Sequence, residues 1–171
     1  MKRIIVEGVD GSGKTTLIEG LRREFHFLTP VVNTLRSEQD FDKWWPEQME
    51  KDWGDLVPIH DRFYYSELVY GPIIRGELLG DRDIHRAVRD RLRREAFLIY
   101  MRPSLSSVIK ESQVNEQMDG VHDHITELLE GYDKIMAKQP LYYGDRYIVV
   151  DWRFKSDQKI ATERVERYLL G

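Results

Sequence analysis

Short apolar segments alternate with longer amphipathic segments along the chain. Five segments have the length and apolar content of buried strands: residues 4–6, 31–35, 56–59, 97–101 and 147–150. In the intervening segments 16–25, 83–95 and 121–137, apolar residues recur at the spacing of one helix face. Strands that alternate with helices are typical of a parallel sheet covered on both faces. The pattern therefore predicts an α/β fold with a five-stranded parallel sheet and helices on both sides.

Two local features interrupt this alternation. Residues 39–53 carry three tryptophans among many charges and predict a helix beside the sheet. Gly71 and Pro72 fall inside an otherwise helical segment, residues 64–79, where the proline removes a helix hydrogen bond and predicts a kink. The chain shows no internal repeat, low-complexity tract or linker, so we expect residues 1–171 to form a single domain.

A glycine-rich segment between the first predicted strand and the first predicted helix carries the most specific signal. Residues 8–15 read Gly-Val-Asp-Gly-Ser-Gly-Lys-Thr and fit the phosphate-binding loop pattern. Glycines let backbone N–H groups turn toward phosphate oxygens, and the helix N-terminus adds partial positive charge there. Lys14 is expected to reach the β- and γ-phosphates of a nucleoside triphosphate, and the Thr15 hydroxyl to hold Mg²⁺. The residues expected to bind the nucleotide are Gly8, Gly11, Ser12, Gly13, Lys14, Thr15 and Thr16.

Composition and charge narrow the class of partner. The chain has 26 basic and 30 acidic residues and a net charge of −4, which gives no overall attraction to a nucleic-acid backbone. A nucleic-acid polymer is therefore not the expected substrate. The absence of cysteine excludes disulfides and thiolate metal sites and is compatible with a reducing cytoplasm. No apolar run approaches the length of a membrane span, so we expect a cytoplasmic protein without a membrane partner.

Each of the later predicted strands is followed closely by an arginine. In open parallel sheets, ligands bind beyond the carboxyl ends of the strands. Arg36, Arg62, Arg102 and Arg153 come after the second, third, fourth and fifth predicted strands. Positive side chains are therefore expected at the edge of the sheet where phosphates would bind.

Asp61 and Arg62 form the strongest pair at this edge. An aspartate shortly after a strand can hold Mg²⁺ directly or through water. The guanidinium of Arg62 can grip an acceptor phosphate through two hydrogen bonds. A local salt bridge or a helix cap also fits the pair, but the aromatic and polar residues that continue from 63 to 76 favour a substrate site.

Together these motifs resemble thymidylate kinases. Residues 6–16 look like the opening of that family, Glu-Gly-x-Asp-Gly-x-Gly-Lys-Thr-Thr, and residues 61–63 are similar to its Asp-Arg-Tyr motif. Residues 66–76 share its pattern of serine, aromatic and basic-glycine positions, and residues 34–38 match its Thr-Arg-Glu-Pro-Gly segment loosely, without the Pro-Gly. The resemblance covers nearly the whole chain, and its first motif is the most specific. It implies a P-loop kinase fold, ATP and Mg²⁺ as cofactors, and a homodimer.

The resemblance also implies roles for individual residues. Asp10 would lie near the 3′-hydroxyl and α-phosphate of the acceptor, which helps to select a deoxynucleotide. Arg36 and Arg62 would clamp the acceptor phosphate, Asp61 would organise the metal, and Arg153 could stack on the donor adenine. An aromatic ring is expected to stack on the acceptor base, although ordinary core burial explains each candidate equally well. The unranked candidates are Phe63, Trp44, Trp45 and Tyr70.

One element departs from the pattern of these kinases. Their mobile lid follows the fourth strand and carries arginines that neutralise the transferring phosphoryl group. This chain has no arginine between Arg102 and Arg146, and the segment in the place of the lid, residues 112–120, is neutral to acidic. Arg102, Lys110 or Arg36, or a partner, would have to supply the charge. We favour Arg102 and Lys110, because a strand end and a first helical turn face the loop.

The expected function is ATP-dependent phosphoryl transfer to a deoxynucleoside monophosphate, either dTMP or a related or modified nucleotide. A monophosphate is already an anionic nucleophile, whereas a nucleoside needs a carboxylate for its hydroxyl proton. Glu38 could be that carboxylate, so a deoxynucleoside kinase is the alternative. A nucleotide-dependent switch or ATPase is weaker, because the chain lacks an Asn-Lys-x-Asp segment, and a kinase of nucleic-acid hydroxyls conflicts with the overall acidity. The expected catalytic residues are Lys14, Arg62, Asp61, Asp10 and Arg102.

Overall fold

A sheet of five parallel strands forms the centre of the protein. The computed structural model describes residues 1–33, 40–112 and 121–171. The strands are β1 (Arg3–Glu7), β2 (Leu28–Val32), β3 (Val57–Asp61), β4 (Ala96–Met101) and β5 (Tyr147–Val150). Their order across the sheet is β2-β3-β1-β4-β5, and every neighbouring pair is parallel. β1 therefore lies in the middle, between β3 and β4.

Helices connect the strands. The helices in the described ranges are α1 (Lys14–Glu24), α2 (Phe41–Glu50), α3 (Tyr64–Tyr70), α4 (Arg82–Glu95), α5 (Leu105–Ser112), α6 (Ile125–Met136), α7 (Pro140–Tyr143) and α8 (Lys155–Leu170). A π-helical turn, Gly71–Arg75, continues α3, and a 3₁₀ turn, Gly144–Arg146, precedes β5. None of the helices in the described part of the chain is long and apolar enough to cross a membrane.

Alternating side chains of the strands build two apolar cores, one on each face of the sheet. Successive strand residues point to opposite faces. Ile5 accordingly packs with apolar residues of α2, α3, α4 and α6. Its neighbours Ile4 and Val6 pack instead with apolar residues of α1 and α8. Helices therefore cover both faces, which confirms the predicted α/β fold with a five-stranded parallel sheet.

The position of the second strand was predicted wrongly. The apolar pattern placed it at residues 31–35, but β2 spans Leu28–Val32. Pro30 argues against an interior strand because it cannot donate to a ladder, yet β2 lies at the edge of the sheet, where proline is tolerated. The third strand also ends later than predicted, so that Asp61 is the last residue of β3.

The predicted interruptions agree with the structure. The tryptophan-rich segment forms α2, and α3 ends at Tyr70, directly before Gly71 and Pro72 begin the π-helical turn. Arg36 and Glu38, and residues 113–120 of the segment expected to replace the lid, lie outside the described residues.

Candidate functional site

The predicted motifs meet at the carboxyl edge of the sheet. β1 and β3 are neighbours, with Val6 paired to Asp61. The glycine loop that follows β1 therefore lies beside Asp61 and Arg62 at the end of β3. Motifs more than fifty residues apart in the sequence form one site because the two strands are parallel and adjacent.

Two glycines of the loop adopt conformations that exclude a side chain. Gly8 has a φ of 150°, and a Cβ there would lie 2.7 Å from the carbonyl oxygen of Met101. Gly13 has a φ of 85°, and a Cβ there would lie 2.1 Å from Cδ1 of Trp152. α1 begins at the next residue, Lys14, so its N-terminus opens directly onto the loop. The loop thus has the tight strand-to-helix turn that phosphate binding requires.

Lys14 is buried against the loop that precedes it. Its ammonium group donates to the carbonyl oxygens of Gly8 at 3.1 Å and Val9 at 2.8 Å. Burial lowers the pKa of Lys14 to about 8, and the positive charge of Arg62 adds to the effect. The same loop also holds a buried Ser12 hydroxyl that has no hydrogen-bond partner among the described residues. Both groups are donors suited to phosphate oxygens.

Thr15 and Asp61 come together as the sequence predicts. The Thr15 hydroxyl donates to Oδ2 of Asp61 at 3.5 Å. One hydroxyl and one carboxylate oxygen at this separation fit the protein share of a Mg²⁺ site, because Mg²⁺ takes its remaining ligands from phosphates and water. These two residues would therefore hold the metal beside the phosphate loop.

Arg62 lies across the mouth of the loop. It donates to the carbonyl oxygen of Gly8 at 3.1 Å and forms an ion pair with Asp10. Its guanidinium also lies over the ring of Tyr70, 4.8 Å from the ring centre. The side chain as a whole is 14% exposed.

The backbone of Arg62 has an unusual conformation that its neighbours hold in place. Its φ of 65° lies in the left-handed region, which costs a residue with a side chain about 1–2 kcal/mol. The Arg62 N–H donates to the carbonyl oxygen of Val6 at 2.9 Å, and the amide of Asn33 donates to the Arg62 carbonyl oxygen. Strain that is fixed from several sides is common where a side chain has to be aimed at a ligand.

Asp10 faces Arg62 from within the loop. Its Oδ2 accepts a hydrogen bond of 3.0 Å from the Tyr70 hydroxyl. Burial raises the pKa of Asp10, but the charges of Arg62 and Lys14 outweigh this effect, and the pKa lies below its ordinary value. The site therefore contains an ionised carboxylate beside the arginine expected to bind the acceptor.

A buried network behind Arg62 was not predicted from the sequence. Glu7 is fully buried at the end of β1 and accepts hydrogen bonds from the backbone N–H groups of Phe63, Tyr65 and Ser66 at the start of α3. Its Oε2 also accepts from the Tyr132 hydroxyl of α6 at 3.2 Å. A glutamate that directly follows the apolar residues Ile4–Val6 in a buried strand is a signal of a buried polar network. No feature of the sequence pointed to Tyr132.

Arg102 is bound to α6. It donates to both carboxylate oxygens of Asp133, at 2.7 and 2.8 Å, and Oδ1 of Asp133 also accepts from the Tyr100 hydroxyl. The side chain of Arg102 is 31% exposed. Arg102 therefore lies at the carboxyl end of β4 as expected, but it carries an ion pair of its own. Lys110 lies exposed in the last turn of α5, not in the first helical turn where the sequence placed it.

The loop after β5 contacts both the phosphate loop and α5. Trp152 lies against Gly13, and its ring would overlap a Cβ at that position. Arg153 pairs with Asp151 and donates to the hydroxyl of Ser107 on α5. The sequence predicted Arg153 as the contact to a donor base and did not single out Trp152 for a role.

The four aromatic candidates for base stacking differ in exposure. Phe63 and Trp45 are fully buried, and Tyr70 is nearly so. Trp44 is half-buried and lies 5.5 Å from Phe63, measured between ring centres. Among these candidates, Trp44 presents the most ring surface.

Sequence comparison gives one distant relative. No protein-family model matches the chain. The SPbeta prophage-derived uncharacterized protein YorR of Bacillus subtilis (strain 168) is 28% identical over 149 residues. These residues span 83% of this chain and 86% of YorR.

Solved structures of similar fold include known kinases. YorR of Bacillus subtilis in complex with phosphorylated GDP has a TM-score of 0.75 at 22% identity, over 99% of this chain and 96% of YorR. Deoxyadenosine kinase from M. mycoides, with dCMP and a flexible dCDP bound, has a TM-score of 0.54 at 16% identity, over 98% and 97% of the two chains. Polyphosphate kinase 2 from Arthrobacter aurescens TC1 has a TM-score of 0.64 at 12% identity, over 95% of this chain and 66% of that enzyme. These matches do not single out thymidylate kinases. The chain has the fold of P-loop kinases.

Proposed function

We propose that the protein transfers the γ-phosphoryl group of ATP to a deoxynucleoside monophosphate with the help of Mg²⁺. The observation that carries this proposal is the position of Arg62. Its guanidinium lies at the mouth of the phosphate loop, bonded to the Gly8 carbonyl and to Asp10. An anionic acceptor held by Arg62 would therefore face a donor held by the loop.

The loop residues support the donor side of this proposal. Lys14 and the Ser12 hydroxyl would bind the phosphates of ATP, exchanging the carbonyl contacts of Lys14 for stronger bonds to charged oxygens. Thr15 and Asp61 would hold Mg²⁺, which neutralises charge that develops on the β- and γ-phosphates. The Trp152 ring would pack between the phosphate loop and the donor base.

The acceptor would lie along α2 and α3. Arg62 would grip the acceptor phosphate, Asp10 would accept a hydrogen bond from the sugar hydroxyl, and Trp44 would stack on the base. Arg36 was expected to share the phosphate with Arg62 and remains part of the proposal, although it lies outside the described residues.

Charge neutralisation and alignment would account for most of the catalysis. The acceptor phosphate oxygen is an anion and attacks without a general base. Lys14 and Arg62 would balance the charge of the two substrates as they approach each other. Arg102 would add to this positive charge only after its ion pair with Asp133 loosens.

Two solved neighbours are consistent with a nucleotide acceptor. YorR was crystallised with phosphorylated GDP, and the deoxyadenosine kinase with dCMP and dCDP. Those ligands belong to those proteins, and at their low identity they support nucleotide binding by this chain without deciding the base.

A deoxynucleoside acceptor is the second candidate, and Asp10 favours it. A hydroxyl acceptor needs a carboxylate to take its proton, and Asp10 is an ionised carboxylate beside a positive charge. Glu38, the base expected from the sequence, lies outside the described residues.

One assay separates the two candidates. The protein is incubated with ATP, Mg²⁺ and a panel of deoxynucleosides and their monophosphates, and ADP release is followed. We expect turnover with at least one monophosphate and none with nucleosides. Turnover with deoxynucleosides alone would replace the proposal with the second candidate, and ADP release that ignores every acceptor would contradict both.

A further inference from the structure

The Arg62 side chain contacts Tyr132, a tyrosine that belongs to none of the sequence motifs. The Arg62 guanidinium donates to the Tyr132 hydroxyl at 3.4 Å, across 70 residues of sequence. Tyr132 lies on α6 and is fully buried. Among the described residues, Tyr132 reaches the site through its contacts with Arg62, Glu7 and Tyr70.

The ring of Tyr132 is fixed by two other tyrosines. It stacks on Tyr100 of β4, with the ring centres 5.9 Å apart and the planes 22° from parallel. It meets Tyr70 edge to face at 6.2 Å. Because Tyr70 also lies under the Arg62 guanidinium, Tyr132 supports Arg62 both directly and through this second ring.

Glu7 sets the direction of the Tyr132 hydroxyl. The hydroxyl donates to Oε2 of Glu7 at 3.2 Å and lies 2.7 Å from the Ser66 hydroxyl. A phenol has a single proton, so donation to Glu7 leaves oxygen lone pairs for the Arg62 N–H. The same carboxylate caps the N-terminus of α3, which begins two residues after Arg62, so it restrains both the backbone and the side chain of that arginine.

We propose that Tyr132, oriented by Glu7, is a positioning residue that aims the Arg62 guanidinium at the acceptor phosphate. The inference rests on the proposed function, since it assigns Arg62 an anionic acceptor. It makes α6, through Tyr132, part of the support of the acceptor site.

The test compares Tyr132→Phe with a matched control, Tyr143→Phe. Tyr143 is also a buried tyrosine, and its hydroxyl bonds to that of Tyr65 at 3.0 Å without contact to Arg62. Both variants lose one buried hydroxyl and keep the ring. We expect Tyr132→Phe to raise the KM of the monophosphate acceptor roughly three- to tenfold, the usual effect of losing one ordinary hydrogen bond, because Tyr132 acts on the acceptor only through Arg62, with the KM of ATP unchanged. Tyr143→Phe should leave both KM values unchanged.

A second variant of Arg62 shows whether Tyr132 acts through it. Arg62→Lys keeps the charge but lacks the planar fork that reaches Tyr132. In that background, Tyr132→Phe should add nothing to the acceptor KM, because the coupling has already been removed. An independent, additive increase would overturn the inference, as would equal KM changes in Tyr132→Phe and Tyr143→Phe.

Two further outcomes distinguish a failure of the Tyr132 inference from a failure of the proposed function. If Tyr132→Phe does not fold, Ser66→Ala replaces it, since it removes a neighbour of the hydroxyl and keeps the Tyr132 ring. We then expect a two- to threefold rise, roughly, in the acceptor KM, and no rise would overturn the inference. Failure of the wild-type protein to use any monophosphate would instead contradict the proposed function, before any variant is compared.

Discussion

Replacement of Arg62 by alanine is the most direct test of the acceptor site. The variant removes the guanidinium that bonds to Gly8 and pairs with Asp10. The left-handed backbone at this position stays strained in the variant, because alanine also carries a Cβ. We expect the loss to fall on the acceptor far more than on ATP, because the proposed donor contacts are made by Lys14 and Thr15 and not by Arg62.

The size of the effect follows from the bonds that Arg62 can make. A hydrogen bond to a charged group contributes about 1.5–3 kcal/mol, and a fork-shaped guanidinium can make two of them to a phosphate. The expected loss is therefore about 3–6 kcal/mol in acceptor kcat/KM, roughly two to four orders of magnitude. The loss of folding stability should be smaller, about 1–2 kcal/mol, because Asp10 is 33% exposed and water can solvate it in the variant.

Steady-state kinetics with each substrate varied in turn measures how the loss divides between the acceptor and ATP. Arg146→Ala is the control. Arg146 is a partly buried arginine that donates to the backbone carbonyl oxygens of Ala96 and Arg93, at the opposite edge of the sheet. Its removal should lower stability and leave both KM values unchanged. Equal losses for ATP and acceptor in Arg62→Ala would refute the assignment of Arg62 to the acceptor phosphate.

Two further predictions concern the donor side. Because the pKa of Lys14 lies at about 8, the lysine loses its charge as the pH rises through 8, and the KM of ATP should rise about tenfold from pH 7 to 9 while the acceptor KM stays flat. A KM of ATP that does not change over this range would contradict the role of Lys14. Gly13→Ala should cost about 1–2 kcal/mol for the left-handed conformation and displace Trp152, which thermal unfolding and ATP binding would report. In a Trp152→Ala background the same change should leave only the backbone cost, so an undiminished loss would refute the clash.

The parts of the site that could be predicted from the sequence are those with a local cause. The phosphate loop is one continuous segment, so its glycines, Lys14 and Thr15 can be recognised together. Asp61 and Arg62 could be placed beside it because parallel strands end at the same edge of a sheet. The wrong position of β2 has a local cause as well, since Pro30, which argues against an interior strand, lies within its true span.

The contacts that hold the site together could not be predicted from the local sequence. Tyr132 and Asp133 lie on α6, far from the strand ends in the sequence, and bind Arg62 and Arg102 respectively. In the sequence, Tyr132 fits a core position of a helix and Asp133 a surface position. Nothing in that pattern indicates that either residue binds an arginine. Only the packing of α6 against α3 and the end of β4 gives these side chains their partners.

The ion pair between Arg102 and Asp133 limits how far Arg102 can replace the missing lid arginines. An arginine that shares its charge with a carboxylate contributes little net positive charge to a phosphoryl group nearby. The chain could use Arg102 fully only if a substrate phosphate competes with Asp133 for its guanidinium. Asp133→Asn should then free Arg102 and raise kcat, or lower the KM of ATP, whereas a purely structural pair would give lower activity together with lower stability. A drop in both would show that Arg102 serves the fold and that the balancing charge comes from elsewhere.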